Sequence, residues 1–158
     1  MIYCDTCVLI YLVERHPQWH GAVSALMAAR VDAEFAVSPL VRLECLVRPV
    51  ARGDDELARR YEDALAQFRW LPITDKAFDR ALRLRAAHGL RTPDALHLAT
   101  ALVSGCDEFW TNDRRLDRAA DALTVTVPRD EEVPGAPETG TTGLVMGVRT
   151  SPPAHEGT

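Results

Sequence analysis

An α/β fold, with a short and mainly parallel sheet flanked by helices, follows from three observations. Short apolar runs of strand character alternate with longer segments of helical period. Helix boundaries are written between them, as Ser38-Pro39, Thr92-Pro93 and a closing Gly89. Aspartates stand where strands give way to helices, at Asp5 and Asp113.

Met1 to Cys4 reads as the first strand, and Cys7 to Val13 as the first helix. Pro17 to Arg30 forms a second helix, with Val23, Leu26 and Met27 on one side. Glu34 to Val37 is a short strand, and Ser38-Pro39 places an N-cap and a proline at the start of the next helix. Asp54 to Trp70 is a long charged helix, followed by an extended piece from Leu71 to Ile73. Asp75 to His88 is amphipathic and ends at Gly89, while Thr92-Pro93 opens a helix that runs through Ser104. Glu108 to Thr111 is a strand, Asp113 to Ala120 a helix, and Leu123 to Val127 the last strand. No internal repeat is present.

Composition changes near Pro128. Residues 1–127 carry the periodic apolar segments and form the expected domain. Residues 128–158 hold five prolines, five glycines and no aromatic residue, so they cannot bury enough apolar surface to offset ordering entropy and are expected to be a disordered tail.

The net charge of −5 argues against a protein that coats nucleic acid with positive surface. It leaves room for a nuclease, because a bound cation can supply the charge that meets a phosphate. All basic side chains but Lys76 are arginines, which suit local phosphate contacts. No apolar run approaches the roughly 20 residues that span a bilayer. The N-terminus reaches Asp5 with no basic stretch before it, so no signal peptide is read there and a cytoplasmic location is expected.

Four acids stand apart from the ordinary surface charge. Asp5 ends the first strand and Asp113 follows the strand Phe109-Trp110-Thr111, so both project from the carboxyl edge of a parallel sheet, where ligands gather. Each is equally suited to cap the helix that follows. In the helix after Pro39, Leu40, Leu43 and Val47 form an apolar stripe at 100° per residue, with Glu44 on its edge and Arg42 on the solvent side. A glutamate at a core margin needs a cation or hydrogen bonds to offset its desolvation. Asp94 opens a helix that is apolar almost all round, which marks a buried element. His97 shares its face and is read as a group that hydrogen-bonds the site rather than a ligand. Four carboxylates drawn together require a multivalent cation, and hard Mg²⁺ or Mn²⁺ suits all-oxygen ligation.

The segments Ile2-Tyr3-Cys4-Asp5-Thr6, Leu43-Glu44, Thr92-Pro93-Asp94-Ala95-Leu96-His97-Leu98-Ala99 and Trp110-Thr111-Asn112-Asp113-Arg114-Arg115-Leu116 together resemble the PIN-domain family, and most of all its VapC-type toxins. The likeness covers roughly residues 1–127, with the motifs in the family's order. It implies a Rossmann-like sheet, Mg²⁺ or Mn²⁺ dependence, and endonucleolytic cleavage of RNA to a 5′-phosphate and a 3′-hydroxyl. Asp5, Glu44, Asp94 and Asp113 match the acidic quartet. Asp5 and Asp94 are implied as the chief metal ligands, while Glu44 and Asp113 complete the shell. Thr6 and Thr111 match small hydroxyls that hydrogen-bond the site. A cognate antitoxin and a homodimer are implied as well. Cysteines at positions 4 and 7 and the tail after Pro128 depart from the usual pattern. Asp117, one turn after Asp113, is read as a surface partner of Arg114. Arg42, Arg48, Arg91, Arg114 and Arg115 are candidates for contacts to a nucleic-acid backbone.

Other functions compete with this one. Cys4-Asp5-Thr6-Cys7 has the spacing of a thiol–disulfide redox site, but it carries a charge at its centre and has no βα unit before it. A zinc site fails because Cys45 and Cys106 are not paired. A housekeeping RNA-processing nuclease and an inactive PIN scaffold that only binds a partner remain the alternatives closest in fold.

Overall fold

The computed structural model describes residues 1–128. The tail expected over 128–158 lies outside the described residues from 129 onward. Five strands, β1 (Ile2–Cys4), β2 (Phe35–Val37), β3 (Arg69–Trp70), β4 (Glu108–Trp110) and β5 (Thr124–Thr126), pair in the order β3-β2-β1-β4-β5. Every ladder is parallel. Parallel neighbours need crossovers, which six helices supply: α1 (Thr6–Val13), α2 (His20–Ala28), α3 (Pro39–Arg52), α4 (Asp55–Leu65), α5 (Asp75–His88) and α6 (Thr92–Val103). Strand β1 is central and buried along its whole length. The chain first builds outward from β1 through β2 to β3, then returns to add β4 and β5 on the other side. The strand order therefore reverses between β1 and β4, and a crevice at the carboxyl ends follows from that reversal.

The core lies on both faces of this sheet. Tyr3 stacks on Phe109 with ring centroids 5.4 Å apart, and Leu9, Val41, Leu65 and Leu98 close around them. Helix α6 enters the core along most of its length, from Ala95 to Ala101. Both ends of α5 match the sequence: Thr74 caps its start through the Ala77 amide, and Gly89 closes it at φ 66°, a left-handed conformation that costs a residue with a Cβ.

Three elements differ from expectation. The helix expected to reach Trp70 stops at Leu65, and Arg69 and Trp70 join the sheet beside Ala36 and Val37. The apolar period of α4 ends with Tyr61 and Leu65, and the free edge of β2 then captures the following residues. The segment after Asp113 is a 3₁₀ helix over Arg114–Ala119 rather than an α-helix. The largest correction concerns α3. Leu43 and Val47 are 62% and 57% exposed, while Val41, Cys45, Leu46 and Pro49 face the core. This helix carries two apolar stripes, and periodicity alone selected the outer one. Glu44 lies between them, so it reaches the crevice under either choice.

Candidate functional site

Asp5 is carried to the carboxyl edge because β1 ends at Cys4 and α1 begins at Thr6. Its Oδ1 accepts the Thr6 amide at 2.6 Å, and its Oδ2 accepts the Thr111 hydroxyl, from the end of β4, at 2.7 Å. Asp5 thus caps α1, and its carboxyl also lies close to Glu44 and His97. Glu44 arrives from the first turns of α3. It accepts the Thr6 hydroxyl, and its Oε2 lies 2.9 Å from Nε2 of His97. Ligand atoms of Asp5, Glu44 and His97 all lie within 4.8 Å of one another. Asp94, in the first turn of α6, shares a cleft of about 100 Å³ with Asp113, Arg91, Arg115 and Arg118.

These positions leave an electrostatic signature. Burial, then the charges of Asp5 and Asp113, push the Asp94 carboxyl above its ordinary range. Glu44 moves the other way, because the hydrogen bond from His97 outweighs its burial. Asp113 is held low by Arg115, whose Nε sits 2.8 Å from Oδ1 and 3.0 Å from Oδ2. Asp113 also caps the 3₁₀ helix through the Arg115 amide at 2.9 Å. The donor set suits a hard divalent cation. It is rich in carboxylate oxygen, and one carboxyl already bears the strain of its neighbours' charge. His97 contributes differently, since both its nitrogens are engaged within the protein.

A buried chain of hydrogen bonds fixes that histidine. Nδ1 of His97 lies 2.9 Å from the Tyr3 hydroxyl, which lies 2.7 Å from the Ser38 hydroxyl. The ring is 3% exposed, and Tyr3 and Ser38 are fully buried. Burial raises the Tyr3 phenol well above its usual range, so it keeps its hydrogen. Glu44 as a carboxylate can only accept, which places a hydrogen on Nε2. If Nδ1 accepts from Tyr3, and Tyr3 accepts from Ser38, every hydrogen in the chain is used. The reverse order leaves the Ser38 hydrogen with no acceptor among the described residues. The Nε2–H tautomer is therefore the one the surroundings favour, and it aims Glu44 at the crevice.

Sequence reasoning missed Tyr3 and Ser38. Ser38 precedes the helix as an N-cap should, yet its hydroxyl makes no capping bond and turns inward to Tyr3. A tyrosine in a central strand was the available signal, since its hydroxyl requires a buried partner. Asn112 was missed as well. Its side chain donates to the Tyr11 hydroxyl at 2.7 Å and its amide lies 3.3 Å from the Cys7 sulfur, which pins the loop bearing Asp113 to α1. The redox alternative loses support here: Cys4 and Cys7 are free thiols, and burial pushes both up, opposite to what a thiolate nucleophile needs. Asp117 lies with Arg114 along a separate cavity, away from the four acids.

Comparison with known proteins agrees with the topology. The profile of the PIN domain matches residues 2–122. The chain belongs to the PIN-domain family. PIN domains generally bind divalent metal. Among solved structures, VapBC2 from Rickettsia felis, bound to a DNA fragment from its promoter, is similar at 16% identity. Its TM-score is 0.69 over 81% of this chain and 99% of that one. FitAcB from Neisseria gonorrhoeae is 23% identical, with a TM-score of 0.63 over 79% of this chain and 96% of that one. VapC20 from Mycobacterium tuberculosis, a sarcin-ricin loop cleaving toxin, is 18% identical, with a TM-score of 0.64 over 75% and 95%. At these identities the likeness is one of fold. No curated protein matches the sequence. Among the described residues of this PIN domain, no helix is long and apolar enough to cross a membrane.

Three outcomes follow for the metal-free protein. Asp94 is raised in the folded state, so its contribution to stability is present at low pH and is lost as pH rises through its folded-state value. Asp94→Asn removes that loss. Its melting temperature in chelator should exceed the wild type at neutral pH, and the gap should close as pH falls toward about 4. A gap of constant size across that range would remove the assigned cause. Tyr3→Phe should cost about 1–3 kcal/mol in urea unfolding, because it leaves the Ser38 hydroxyl and Nδ1 of His97 unpaired in a dry interior. Nitrogen NMR of the wild type should show hydrogen on Nε2 of His97 and none on Nδ1.

Proposed function

We propose that this PIN domain is a divalent-metal-dependent endoribonuclease of the VapC type, the toxin of a toxin–antitoxin pair. The observation that supports the proposal is that ligand atoms of Asp5, Glu44 and His97 lie within 4.8 Å of one another, while Asp94 and Asp113 share a cleft in which burial and the charges of Asp5 and Asp113 raise Asp94. Asp5 and Asp94 are the residues that would chiefly hold Mg²⁺ or Mn²⁺, with Glu44 and Asp113 completing the oxygen shell directly or through water. A cation bound there supplies Lewis-acid charge and an acidified water, the two requirements of phosphodiester hydrolysis.

The protein's own groups prepare that chemistry. Thr6 and Thr111 hold the two oxygens of Asp5 in fixed directions. His97 and Thr6 orient Glu44 and keep it ionised, ready to ligate or to accept a proton. Arg115 leaves Asp113 charged. Such preorganisation lowers the reorganisation needed when substrate arrives. RNA as substrate accords with the fold shared with VapC20, a sarcin-ricin loop cleaving toxin, and an antitoxin as partner with the fold shared with VapBC complexes. A partner that inserts a basic side chain among four carboxylates would find a complementary pocket. The exposed Leu43, Val47 and Val50 on α3 give the domain an apolar stripe of the kind that protein partners cover, whether antitoxin or a second copy.

Purified wild-type chain should cleave RNA in Mg²⁺ or Mn²⁺ and stop in chelator. Asp5→Asn should lower the rate by more than the ~10–100-fold typical of outer hydrogen-bond partners, while the fold survives. Expression of the chain alone should arrest growth, and Asp5→Asn or co-expression of the neighbouring gene's product should relieve it. Full cleavage in chelator would refute the metal role; cleavage without growth arrest would favour an RNA-processing nuclease.

A further inference from the structure

The arginines around the acids are sorted by the fold into two groups. On one side, Arg91 precedes the first turn of α6, and Arg115 and Arg118 line the same cleft as Asp94 and Asp113. In a 3₁₀ helix side chains three apart eclipse one another, which puts Arg115 and Arg118 on one face and Arg114 and Asp117 on another. Arg114 accordingly faces a separate cavity. On the other side, Arg48 and Arg52 line a second cleft of about 100 Å³ that begins at Glu44. They follow Glu44 at four-residue steps, about 6 Å apiece along α3, turning only about 40° at each step. The two clefts share no residue. Arg42 lines neither cleft.

Asp5 lines neither cleft but is linked to both. It is 3.7 Å from Nε2 of His97, whose other close carboxylate is Glu44, and its charge also acts on Asp94. The acids therefore run from Glu44 through Asp5 to Asp94 and Asp113, with arginines beyond either end. Of the other acids in the Arg48 cleft, Glu14 accepts the Tyr61 hydroxyl at 2.6 Å and Asp54 caps α4 through the Leu57 amide at 2.9 Å, and neither forms an ion pair with Arg48 or Arg52 among the described residues. On the other side, Asp113 engages Nε and Nη2 of Arg115 and leaves its Nη1 donors available.

We propose that one single strand of RNA crosses the acid cluster, with phosphates on either side of the reacting one held by Arg48 and Arg52 in one cleft and by Arg91, Arg115 and Arg118 in the other. The proposal rests on the nuclease function above. A single strand fits because both clefts are small and the acids between them are recessed, so the backbone must bend to lower one phosphate among them. A stiff duplex presents its phosphates along a regular helix and is recognised by shape across its wide groove. The charge is zoned accordingly: carboxylates at the centre for a cation, guanidiniums at the flanks for phosphate oxygens.

The test measures binding apart from cleavage. In the full-length Asp94→Asn chain, which should leave RNA uncut, a short fluorescein-labelled oligouridine is titrated by anisotropy at several salt concentrations. Arg48→Gln/Arg52→Gln and Arg91→Gln/Arg118→Gln should each weaken binding and flatten the dependence of log K on log salt by about 0.7 per arginine. Arg83→Gln, on the exposed face of α5, should leave both unchanged. An unchanged slope for either pair would overturn a two-sided track, and so would equal binding of a labelled duplex. Two flattened slopes in a chain whose wild type fails to cleave would keep the track and refute the nuclease function alone.

Discussion

Repulsion among carboxylates crowded at the carboxyl ends of β1 and β4 is the constraint on which the rest of this molecule depends. Parallel pairing brings Asp5 and the Thr111–Asp113 segment to one edge, where α3 brings Glu44 to Asp5 and α6 brings Asp94 into a cleft with Asp113. Burial first, and then this repulsion, push up the Asp94 carboxyl, while other groups hold Glu44 and Asp113 ionised. A site that tolerates such crowding in the folded state stores a preference for positive charge. A divalent cation, a guanidinium from a partner and the arginines at the flanks all answer that preference.

The supporting structure is as specific as the acids. Thr6 serves both Asp5 and Glu44, through its amide and its hydroxyl, so a shift at the start of α1 would move two carboxylates together. Tyr3, stacked on Phe109 in the central strands, passes the rigidity of the core through His97 to Glu44. The β4 end is tied in the same way, with Asn112 held by Tyr11 and Cys7. Site geometry and core packing are therefore one system, and a loss of packing at Tyr3 is felt first at Glu44.

Much of this was legible in the sequence, for identifiable reasons. Strand ends that run straight into an aspartate and a helix start, as at Cys4-Asp5-Thr6, combine an apolar run with a strong local cap, and both signals survive in the fold. Gly89 and Thr92-Pro93 are equally local. Glu44 is legible as a core-margin residue although Leu43 and Val47 beside it face outward, because it borders both stripes of α3. What could not be read depends on partners distant in sequence. Ser38 looks like a cap until Tyr3 is seen beneath it. Trp70 continues a charged helix until β2 offers an edge, and the 3₁₀ winding that separates Arg115 from Arg114 is seen only in the fold. Which arginines face the acids is likewise a property of the assembled crevice.

The most direct measurement is thermal unfolding of the wild type and of Asp94→Asn at neutral pH, each titrated with Mn²⁺ from a chelated start. A site built on mutual repulsion predicts curves that cross. Asp94→Asn melts higher without metal, and the wild type overtakes it as Mn²⁺ binds the folded state and relieves the crowding. Parallel curves, or a wild type indifferent to Mn²⁺, would contradict a cation-centred site and leave the four carboxylates without a common purpose.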